Sequence, residues 1–235
     1  MQWFYTNKIE GDFAELNEVE ARHCLQVLRK KVGDPITFVD GLGGYYEGQL
    51  EETAKKSCTI RIVKKVVPYQ PLPVNIHIGI APTKNISRFE WFLEKATEIG
   101  IGEITPLLCQ RSERKKIRAD RLEKVLLSAM KQSLKAHLPR LNPLTSLQSF
   151  LQGTFSDGDN HYIAHCGNGF KNHLKDLYLP GRNVTILIGP EGDFSEEEVE
   201  EARAVGFKEI SLGSSRLRTE TAGLAACHIV NLLNE

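Results

Sequence analysis

A short loop at residues 188–193, with the sequence IGPEGD, has residue types that suit a small-molecule site. Gly189 and Gly192 allow the backbone to approach a ligand closely or to adopt a positive φ angle, and Pro190 stiffens the turn. The loop lacks the Gly-Lys-Ser/Thr ending of a Walker loop and the Gly-x-Gly-x-x-Gly pattern. Glutamates at residues 196–198 would repel a phosphate, so a cationic or zwitterionic cofactor fits better than a nucleoside triphosphate. An ordinary tight strand-to-helix turn is the alternative.

A second candidate loop spans residues 213–222 and has the sequence GSSRLRTETA. Arg218 and Glu220 lie there among several hydroxyl-bearing side chains, which is unusual for a simple connection. Arg218 could hold a carboxylate, a phosphate or a developing oxyanion, and Thr219 can cap the helix that follows. The alternative is a surface Arg218–Glu220 ion pair beside a helix cap, which would add little stability. Two such loops at neighbouring strand ends of one sheet would support each other as a ligand site.

Strands and helices alternate in the C-terminal two thirds of the chain and must position both loops. Hydrophobic periodicity and capping residues, including a Ser195–Glu198 capping box, indicate the element boundaries. The predicted strands are 74–81, 104–109, 162–165, 184–188 and 210–212, and the predicted helices are 86–99, 119–138, 196–205 and 219–233. This alternation predicts an α/β fold with a mostly parallel sheet, in which ligands bind at the carboxyl ends of the strands.

Prolines at three positions within residues 68–73 mark a linker, because proline removes backbone donors and favours an extended path. The sequence therefore predicts a small domain at residues 1–68 and a larger one at 74–235, joined by residues 69–73. In the small domain Asn17 can cap a helix. Its apolar positions would be Val19, Cys24, Leu25, Val27 and Leu28, and strands are predicted at 36–39, 45–50 and 58–67. A β-rich unit of this size is typical of small barrels.

The composition is that of an ordinary globular protein, expected in a reducing cytoplasm. The 235 residues are 41% hydrophobic and 26% charged, with no apolar run of membrane-spanning length and no signal-peptide pattern at the start. The five cysteines are scattered without a Cys-x-x-Cys pair, so neither a zinc site nor a disulfide framework is expected. His161 and His165 would lie about 13 Å apart on a strand, so we expect no metal there.

The net charge is zero, but the charge is polarised along the chain. Residues 84–140 carry 13 basic and 7 acidic side chains, whereas residues 141–235 carry 7 basic and 13 acidic ones. A local basic face can bind phosphates on a neutral molecule, although a solvated helix surface has the same pattern. The candidate phosphate contacts are Arg22, Arg29, Lys30, Lys31, Arg111, Arg114, Lys115, Lys116, Arg118, Arg121, Lys131 and Lys135.

The two loops also resemble the signature of a known group of enzymes. The stretches LIGPEGDFSEEEVEEARAVGF at residues 187–207 and SLGSSRLRTETAGLAA at residues 211–226 are similar to those of knotted, SPOUT-type RNA methyltransferases. The resemblance is closest to the ribosomal RNA small subunit methyltransferase E family, which methylates N3 of one uridine. It extends over nearly the whole chain through HCLQVLR at 23–29, KATEIG at 95–100, RS at 111–112 and QS at 132–133.

The resemblance implies an α/β fold with a C-terminal SPOUT-type trefoil-knotted parallel sheet and flanking helices, plus a small N-terminal PUA-like β-barrel that binds RNA. Knots are nearly absent from proteins, and the periodicity of this sequence does not indicate one. The resemblance further implies S-adenosyl-L-methionine as the cofactor and a homodimer as the working form. The implied substrate is one uridine of small-subunit (16S) ribosomal RNA within the assembled subunit.

The resemblance also implies roles for individual residues. Uridine N3 carries a proton that must leave, so Arg218 would stabilise the anion or orient a base, and Glu220 would be the base or would hold Arg218. The implied cofactor contacts are His165, Cys166, Ile188, Gly189, Pro190, Glu191, Gly192, Leu212, Gly213, Leu217 and Arg218. The implied RNA contacts are Arg22, Arg29, Lys31, Arg111, Arg114, Lys131, Gln132 and Lys135.

Two positions depart from the family pattern. Asp193 stands where the family often has glycine and adds a charge beside the cofactor loop. Lys135 lies where arginine is usual and lacks the bidentate fork of a guanidinium. Two other interpretations are a non-catalytic RNA-binding ribosome assembly factor and a different α/β nucleotide enzyme. The presence of both Arg218 and Glu220 favours an enzyme over an assembly factor, and the missing phosphate-loop lysine argues against the nucleotide enzyme.

Overall fold

The structure is a computed structural model that describes residues 2–54, 56–153, 160–167, 169 and 171–235. The chain forms two compact units. The first contains Met1–Pro71 together with Leu127–Leu138, and the second contains Leu72–Leu126 together with Pro139–Glu235. The predicted linker at residues 69–73 contains the boundary between the two units at Pro71 and Leu72. The predicted domains did not assign Leu127–Leu138 to the N-terminal unit.

The N-terminal unit contains a six-stranded sheet with the strand order β1-β4-β5-β6-β3-β2. Its strands are β1 (Phe4–Tyr5), β2 (Ile9–Glu10), β3 (Phe13–Leu16), β4 (Pro35–Val39), β5 (Tyr45–Thr53) and β6 (Cys58–Val66). The pair β1–β4 is parallel and the other pairs are antiparallel. Register shifts between β5 and β6 act as bulges that bend the strands, so the sheet curls into a half-barrel. The predicted β-rich unit is confirmed.

A short helix, α1 (Glu18–Arg22), begins at Asn17, whose side chain accepts hydrogen bonds from the Val19 and Glu20 amides. The helix continues as a π-helical turn at His23–Val27 instead of the regular helix that the periodicity predicts. The wider turn alters which side chains face the core. Of the apolar positions that the sequence places on this helix, Cys24 is buried, whereas Val27 at the end of the turn and Val19 in α1 are 64% and 75% exposed.

The long helix α3 (Ala119–Gln132) ends six residues before the predicted boundary at residue 138. Leu134 adopts a positive φ of 55°, and the Lys135 amide donates to the carbonyl of Met130, which closes the helix without a glycine. The chain then turns so that Ala136 is buried beside Met130 in a cluster with Trp3, Val39 and Tyr45. The hydrophobic pattern continues through this turn, which is why it indicates a longer helix.

The C-terminal unit is built on a sheet with the order β10-β8-β7-β12-β11-β13, with β9 paired to β8. Its strands are β7 (Ile76–Ile80), β8 (Glu103–Leu108), β9 (Arg140–Leu141), β10 (Thr145–Ser146), β11 (Asn160–Ala164), β12 (Val184–Ile188) and β13 (Lys208–Ile210). The other helices are α2 (Ile86–Ile99), α4 (Leu147–Leu151), α5 (Leu174–Leu177), α6 (Glu196–Ala204) and α7 (Thr219–Leu232). Every strand pair is parallel, which confirms the predicted α/β fold.

Helix α7 packs against α2, β7 and β12. Its Gly223 is required by this packing, because an added Cβ would lie 2.8 Å from both Ile80 and Phe92 side-chain atoms. The close approach fixes the start of α7, where Arg218 and Glu220 lie. Helix α6 begins with the predicted capping box, in which Ser195 and Glu198 exchange side-chain to backbone hydrogen bonds. In the described part of the chain, none of the helices combines the length and the apolar character that a membrane crossing needs.

Candidate cofactor-binding and active site

Three loops leave three adjacent strands of the C-terminal sheet at the same level. Ala164 at the end of β11 is in register with Ile188 at the end of β12 and with Ile210 at the end of β13. The two predicted loops therefore do not follow neighbouring strands, because β11 lies between β12 and β13. The loop after β11, which contains the implied cofactor contacts His165 and Cys166, is the central one. The carboxyl ends of parallel strands are where α/β folds bind ligands.

A cavity of about 960 Å³ opens among these three loops. Its walls include all the implied cofactor contacts except Gly192: His165, Cys166, Ile188, Gly189, Pro190, Glu191, Leu212, Gly213, Leu217 and Arg218. Gly192 instead faces Arg111, whose Cβ would lie 3.2 Å from a Cβ added at Gly192. The cavity is also lined by Asp193, Ser214, Ser215 and Arg216 of the two predicted loops, and by Lys171, which the sequence interpretation did not include.

The first loop, residues 188–194, is held by hydrogen bonds from three directions. The Arg111 guanidinium donates to the carbonyl oxygens of Gly192 and Phe194, at 3.1 Å each. The Lys84 amide donates to Glu191 Oε1 at 2.9 Å. The Thr219 hydroxyl donates to the Gly189 carbonyl at 3.0 Å. Charged and hydroxyl donors on backbone carbonyls fix a loop more firmly than its own turn would.

The central loop, residues 165–167, is held by the side chain of His165. Its Nε2 lies 2.7 Å from Glu209 Oε2, and its Nδ1 accepts the Gly167 amide at 3.1 Å. Because Nδ1 accepts, the neutral ring carries its proton on Nε2 and donates it to Glu209. Glu209 also pairs with Arg203 at 3.4 Å. The His165 ring therefore has a fixed orientation in the wall of the cavity. Its partner Glu209 is 44 residues away, and no pattern in the sequence indicated this pairing.

The second predicted loop places Arg218 at the N-cap position of α7, exposed, with no side-chain cap hydrogen bond to the described residues. The prediction that Thr219 caps α7 is wrong, because its hydroxyl donates to the first loop instead. Gly213 has a φ of 126°, a conformation that side-chain-bearing residues rarely adopt, so the turn after β13 depends on glycine there. Arg218 is thus free to face a ligand at the rim of the cavity.

Glu220 is buried in the first turn of α7, with 9% of its side chain exposed. Its Oε1 lies 3.9 Å from Arg88 Nε, so its cationic neighbour is Arg88 of α2. The predicted alternative of a surface Arg218–Glu220 pair is therefore wrong. Within the described residues, Glu220 Oε2 is buried and has no hydrogen-bond partner. A carboxylate oxygen in that state is costly to bury and can accept a proton or a donor from a ligand.

Charges of both signs surround the cavity. Lys171, Arg216 and Arg218 contribute positive charge, and Glu191 and Asp193 contribute negative charge. In the first turn of α6, the backbone amide of Glu197 and the Ser195 hydroxyl lower the pKa of the Glu197 carboxyl, which keeps this helix start negatively charged. The mixture suits a zwitterion better than a polyphosphate, in agreement with the interpretation of the sequence.

Two of the proposed RNA-binding arginines in the C-terminal unit are engaged in structural contacts. Arg111 binds the first loop, and Arg114 donates to the carbonyl oxygens of Thr83 and Lys84, at 2.9 and 2.5 Å. Arg118 pairs with Asp120 and Arg121 with Glu90. Lys115 and Lys116 are exposed. The sequence shows the run of basic residues. It does not show which of them bind carbonyl oxygens, which form ion pairs and which are exposed to solvent.

The remaining RNA candidates lie in the N-terminal unit. Arg22, Arg29, Lys31 and Gln132 are exposed, and Lys135 is half-buried. Lys131 forms a 2.5 Å ion pair with Glu20, whose side chain is only 4% exposed. Lys131 is therefore committed to stabilising a buried carboxylate. The exposed cations are the ones available to a phosphate backbone.

The two histidines of β11 and its following loop are separated by their contacts. The His161 ring packs 5.4 Å from Phe207, whereas His165 pairs with Glu209. Across the part of the chain that the structure describes, no group of three or more His, Cys, Asp or Glu side chains is arranged to hold a metal ion.

Comparison with known proteins gives a consistent result. The model of an RNA methyltransferase domain matches residues 70–231, and the model of an RNA methyltransferase PUA domain matches residues 16–63. The chain is 28% identical to ribosomal RNA small subunit methyltransferase E of Rickettsia conorii, covering 96% of this chain and 94% of that protein. The protein of the same name from Bacillus subtilis is 27% identical, covering 92% and 88%.

Two solved structures are similar over their full length. A probable rRNA methyltransferase from Porphyromonas gingivalis is 40% identical with a TM-score of 0.91, covering 100% of this chain and 98% of that one. A ribosomal RNA small subunit methyltransferase E from Neisseria gonorrhoeae, bound to S-adenosyl methionine, is 27% identical with a TM-score of 0.87, covering 100% and 98%.

Proposed function

Because the chain belongs to the family of proteins with an RNA methyltransferase domain, we propose that it methylates N3 of one uridine in 16S ribosomal RNA with S-adenosyl-L-methionine. The relatives that share its whole length are named as methyltransferases of small-subunit ribosomal RNA. The single observation that carries the proposal is the cavity at the in-register ends of β11, β12 and β13, with Arg218 at its rim and Glu220 buried nearby.

The residues of the cavity fit S-adenosylmethionine. Its volume lies at the upper end of the range for small-molecule sites, about 300–1,000 Å³. Apolar side chains at Ile188, Leu212 and Leu217 suit an adenine ring, and backbone groups of all three loops are available to its polar edge. The charged side chains around the cavity match an amino acid group that carries both a carboxylate and an ammonium. When bound, S-adenosylmethionine supplies an electrophilic methyl group.

Arg218 and Glu220 would handle the charge and the proton of the uridine. Uridine N3 must lose its proton as the methyl group is added, so the reaction needs a base or a cation that stabilises the anion. The unpartnered Oε2 of Glu220 can accept that proton. The exposed guanidinium of Arg218 can stabilise the developing negative charge on the uracil oxygens. Arg88 then keeps Glu220 oriented, in place of the pairing between Arg218 and Glu220 considered from the sequence.

We assign RNA binding to the PUA-like N-terminal unit and to the exposed cations of the chain. Arg22, Arg29 and Lys31 on the N-terminal unit, and Lys115 and Lys116 on the C-terminal unit, are exposed to solvent. Such cations bind the phosphate backbone without reading sequence, so the choice of a single uridine must come from other contacts, to the bases or to the shape of the RNA. We expect the assembled small subunit to be the substrate and a homodimer to be the active form.

The experiment that tests the proposal is nucleoside mass spectrometry of small-subunit RNA. Unmethylated subunits, purified protein and S-adenosylmethionine should yield one N3-methyluridine per subunit, and naked RNA should yield less. The Glu220→Gln variant, which keeps the side-chain shape, should leave the RNA unmethylated while still binding the cofactor. Tight subunit binding without a methylated nucleoside would support the alternative of a non-catalytic assembly factor. A methyl group on a different atom would reject the N3 assignment alone.

A further inference from the structure

Asp193 is a residue with a side chain in a backbone conformation that favours glycine. Its φ is 63°, in the left-handed region, and its amide donates to the Pro190 carbonyl at 2.9 Å to close the turn of the first loop. Aspartate tolerates this conformation better than most residues, but glycine adopts it without steric cost. A glycine would therefore form the same turn more easily, so the turn itself does not explain the carboxylate.

Both oxygens of the Asp193 carboxylate accept backbone hydrogen bonds, and the two bonds differ in kind. Oδ1 accepts the amide of the next residue, Phe194, at 2.9 Å, which is local to the loop. Oδ2 accepts the amide of Cys166 at 2.8 Å, which is 27 residues away and belongs to the central loop after β11. The second bond therefore joins two separate walls of the cavity.

Few other hydrogen bonds hold the central loop, residues 165–167, in place. His165 anchors the start of the central loop to Glu209, and Lys171 donates to the Gly167 carbonyl from within the same segment. Among the hydrogen bonds described for residues 165–167, the one from Cys166 to Asp193 alone leads to the first loop. Bonds from backbone amides to a carboxylate are short and charge-assisted, so one such bond can hold a loop in place.

We propose that Asp193 is a positioning residue that locks the central loop against the first loop and so preforms the cofactor cavity. The inference rests on the proposed function, because it concerns the same S-adenosylmethionine site. The carboxylate acts through the position of the Cys166 amide. Its two hydrogen bonds do not cancel its negative charge, so attraction of the positive sulfonium is a separate role, which binding of the neutral product distinguishes from positioning. A preformed wall lowers the entropic cost of binding, because the ligand does not have to order the loop.

The test compares wild type with Asp193→Gly and Asp193→Asn. Glycine removes both hydrogen bonds but relieves the left-handed strain, so the melting temperature should stay close to that of wild type. Asparagine keeps one acceptor oxygen. We expect the dissociation constant for S-adenosylmethionine, measured by calorimetry, to rise about tenfold for glycine and less for asparagine. The matched control is Gln70→Gly, which removes an exposed side chain at a φ of 46° and should leave the affinity unchanged.

Two further measurements separate positioning from other roles. The neutral product S-adenosylhomocysteine should lose affinity by the same factor, since it needs the same wall. A loss confined to the positively charged S-adenosylmethionine would overturn the proposal in favour of charge attraction. In the ligand-free protein, the Cys166 amide should exchange its hydrogen faster in Asp193→Gly than in wild type. Unchanged exchange together with unchanged affinity would also overturn it. Failure of the wild-type protein to bind either ligand would reject the proposed function instead.

Discussion

The hydroxyl of Thr219 donates a 3.0 Å hydrogen bond to the carbonyl oxygen of Gly189. Thr219 is the first residue of α7, and Gly189 is the first residue after β12, so this buried bond joins the helix that carries Glu220 to the loop that lines the cavity. The helix of the proposed base and this wall of the cavity are therefore joined by a direct hydrogen bond.

Replacing Thr219 with valine should remove this hydrogen bond at nearly constant volume. The Gly189 carbonyl would lose its buried donor, so we expect the free energy of unfolding to fall by about 1 kcal/mol. The dissociation constant for S-adenosylmethionine should rise roughly twofold if half of that loss falls on the binding-competent loop, and roughly fivefold if all of it does. Urea titration measures the free energy of unfolding, and calorimetry measures the dissociation constant. Thr219→Ser keeps the hydroxyl and should restore affinity, and equal behaviour of the two variants would contradict the role of the bond.

Arg218 and Glu220 should affect turnover far more than cofactor binding. Arg218→Ala removes the exposed cation, and we expect kcat to fall by about a hundredfold or more, as for other groups that stabilise a developing oxyanion. Arg218→Lys keeps the charge without the fork and should recover part of the rate. Single-turnover methylation with saturating S-adenosylmethionine isolates the chemical step. Near-wild-type turnover in Arg218→Ala, with the cofactor still bound, would remove this residue from the mechanism.

For Glu220, the informative comparison is with its neighbour Arg88. Glu220→Gln should abolish the proton transfer, whereas Arg88→Met should lower the rate only partly, because the proposed mechanism uses Arg88 only to orient the carboxylate, which lies 3.9 Å from it. If Arg88→Met were as severe as Glu220→Gln, the ion pair itself would be the essential unit.

The basic run before α3 should divide into structural and RNA-binding residues. Arg111→Ala removes two hydrogen bonds to the carbonyls of Gly192 and Phe194, so it should lower the free energy of unfolding by about 1–2 kcal/mol and weaken cofactor binding. Lys115→Ala and Lys116→Ala should leave stability unchanged. Each should reduce the slope of log K against log salt for RNA binding by roughly 0.7–0.9. A salt slope that changes with Arg111 but not with the lysines would reverse this division.

The cysteines should report whether the cavity is filled. Cys166 is exposed and lines the cavity, whereas Cys24, Cys58, Cys109 and Cys227 are buried. Burial raises the pKa of the Cys24 thiol to about 12 and also raises the pKa of Cys58 and Cys109, so these thiols stay protonated and unreactive near pH 8. Iodoacetamide at that pH should label Cys166 first, as mass mapping of peptides would show. S-adenosylmethionine should slow the labelling, and a rate independent of the ligand would place the cofactor elsewhere.

The parts of the structure that depend on local interactions were predictable from the sequence. Helix α2 has the predicted bounds because its periodicity and the Asn85 cap are contained in one stretch of chain. The capping box of α6 has the same origin. The helix after Asn17 and the end of α3 were predicted less well. At the π-helical turn and at Leu134, which has a positive φ, the regular helix geometry ends although the hydrophobic pattern of the sequence continues.

The site could be predicted as a set of loops but not as a set of contacts. The glycine-bearing loops identify the cavity walls, since strand ends and turn residues are local signals. The pairings of His165 with Glu209 and of Asp193 with Cys166 join residues 44 and 27 positions apart, and they depend on the order of β12, β11 and β13. Likewise, the sequence shows that Arg111 is charged but not that two carbonyl oxygens will bind it.

The N-terminal unit is discontinuous in sequence, since it includes Leu127–Leu138, and this has a consequence for how the protein is made. A ribosome that has released only the first 71 residues has not yet supplied Met130 and Ala136, which are buried with Trp3 and Tyr45. The apolar side chains of Trp3 and Tyr45 therefore stay incompletely buried while residues 72–126 are synthesised. A gene fragment that stops at the proline-rich linker would therefore encode an unfinished fold, and any transplant of this unit into another protein must carry both pieces.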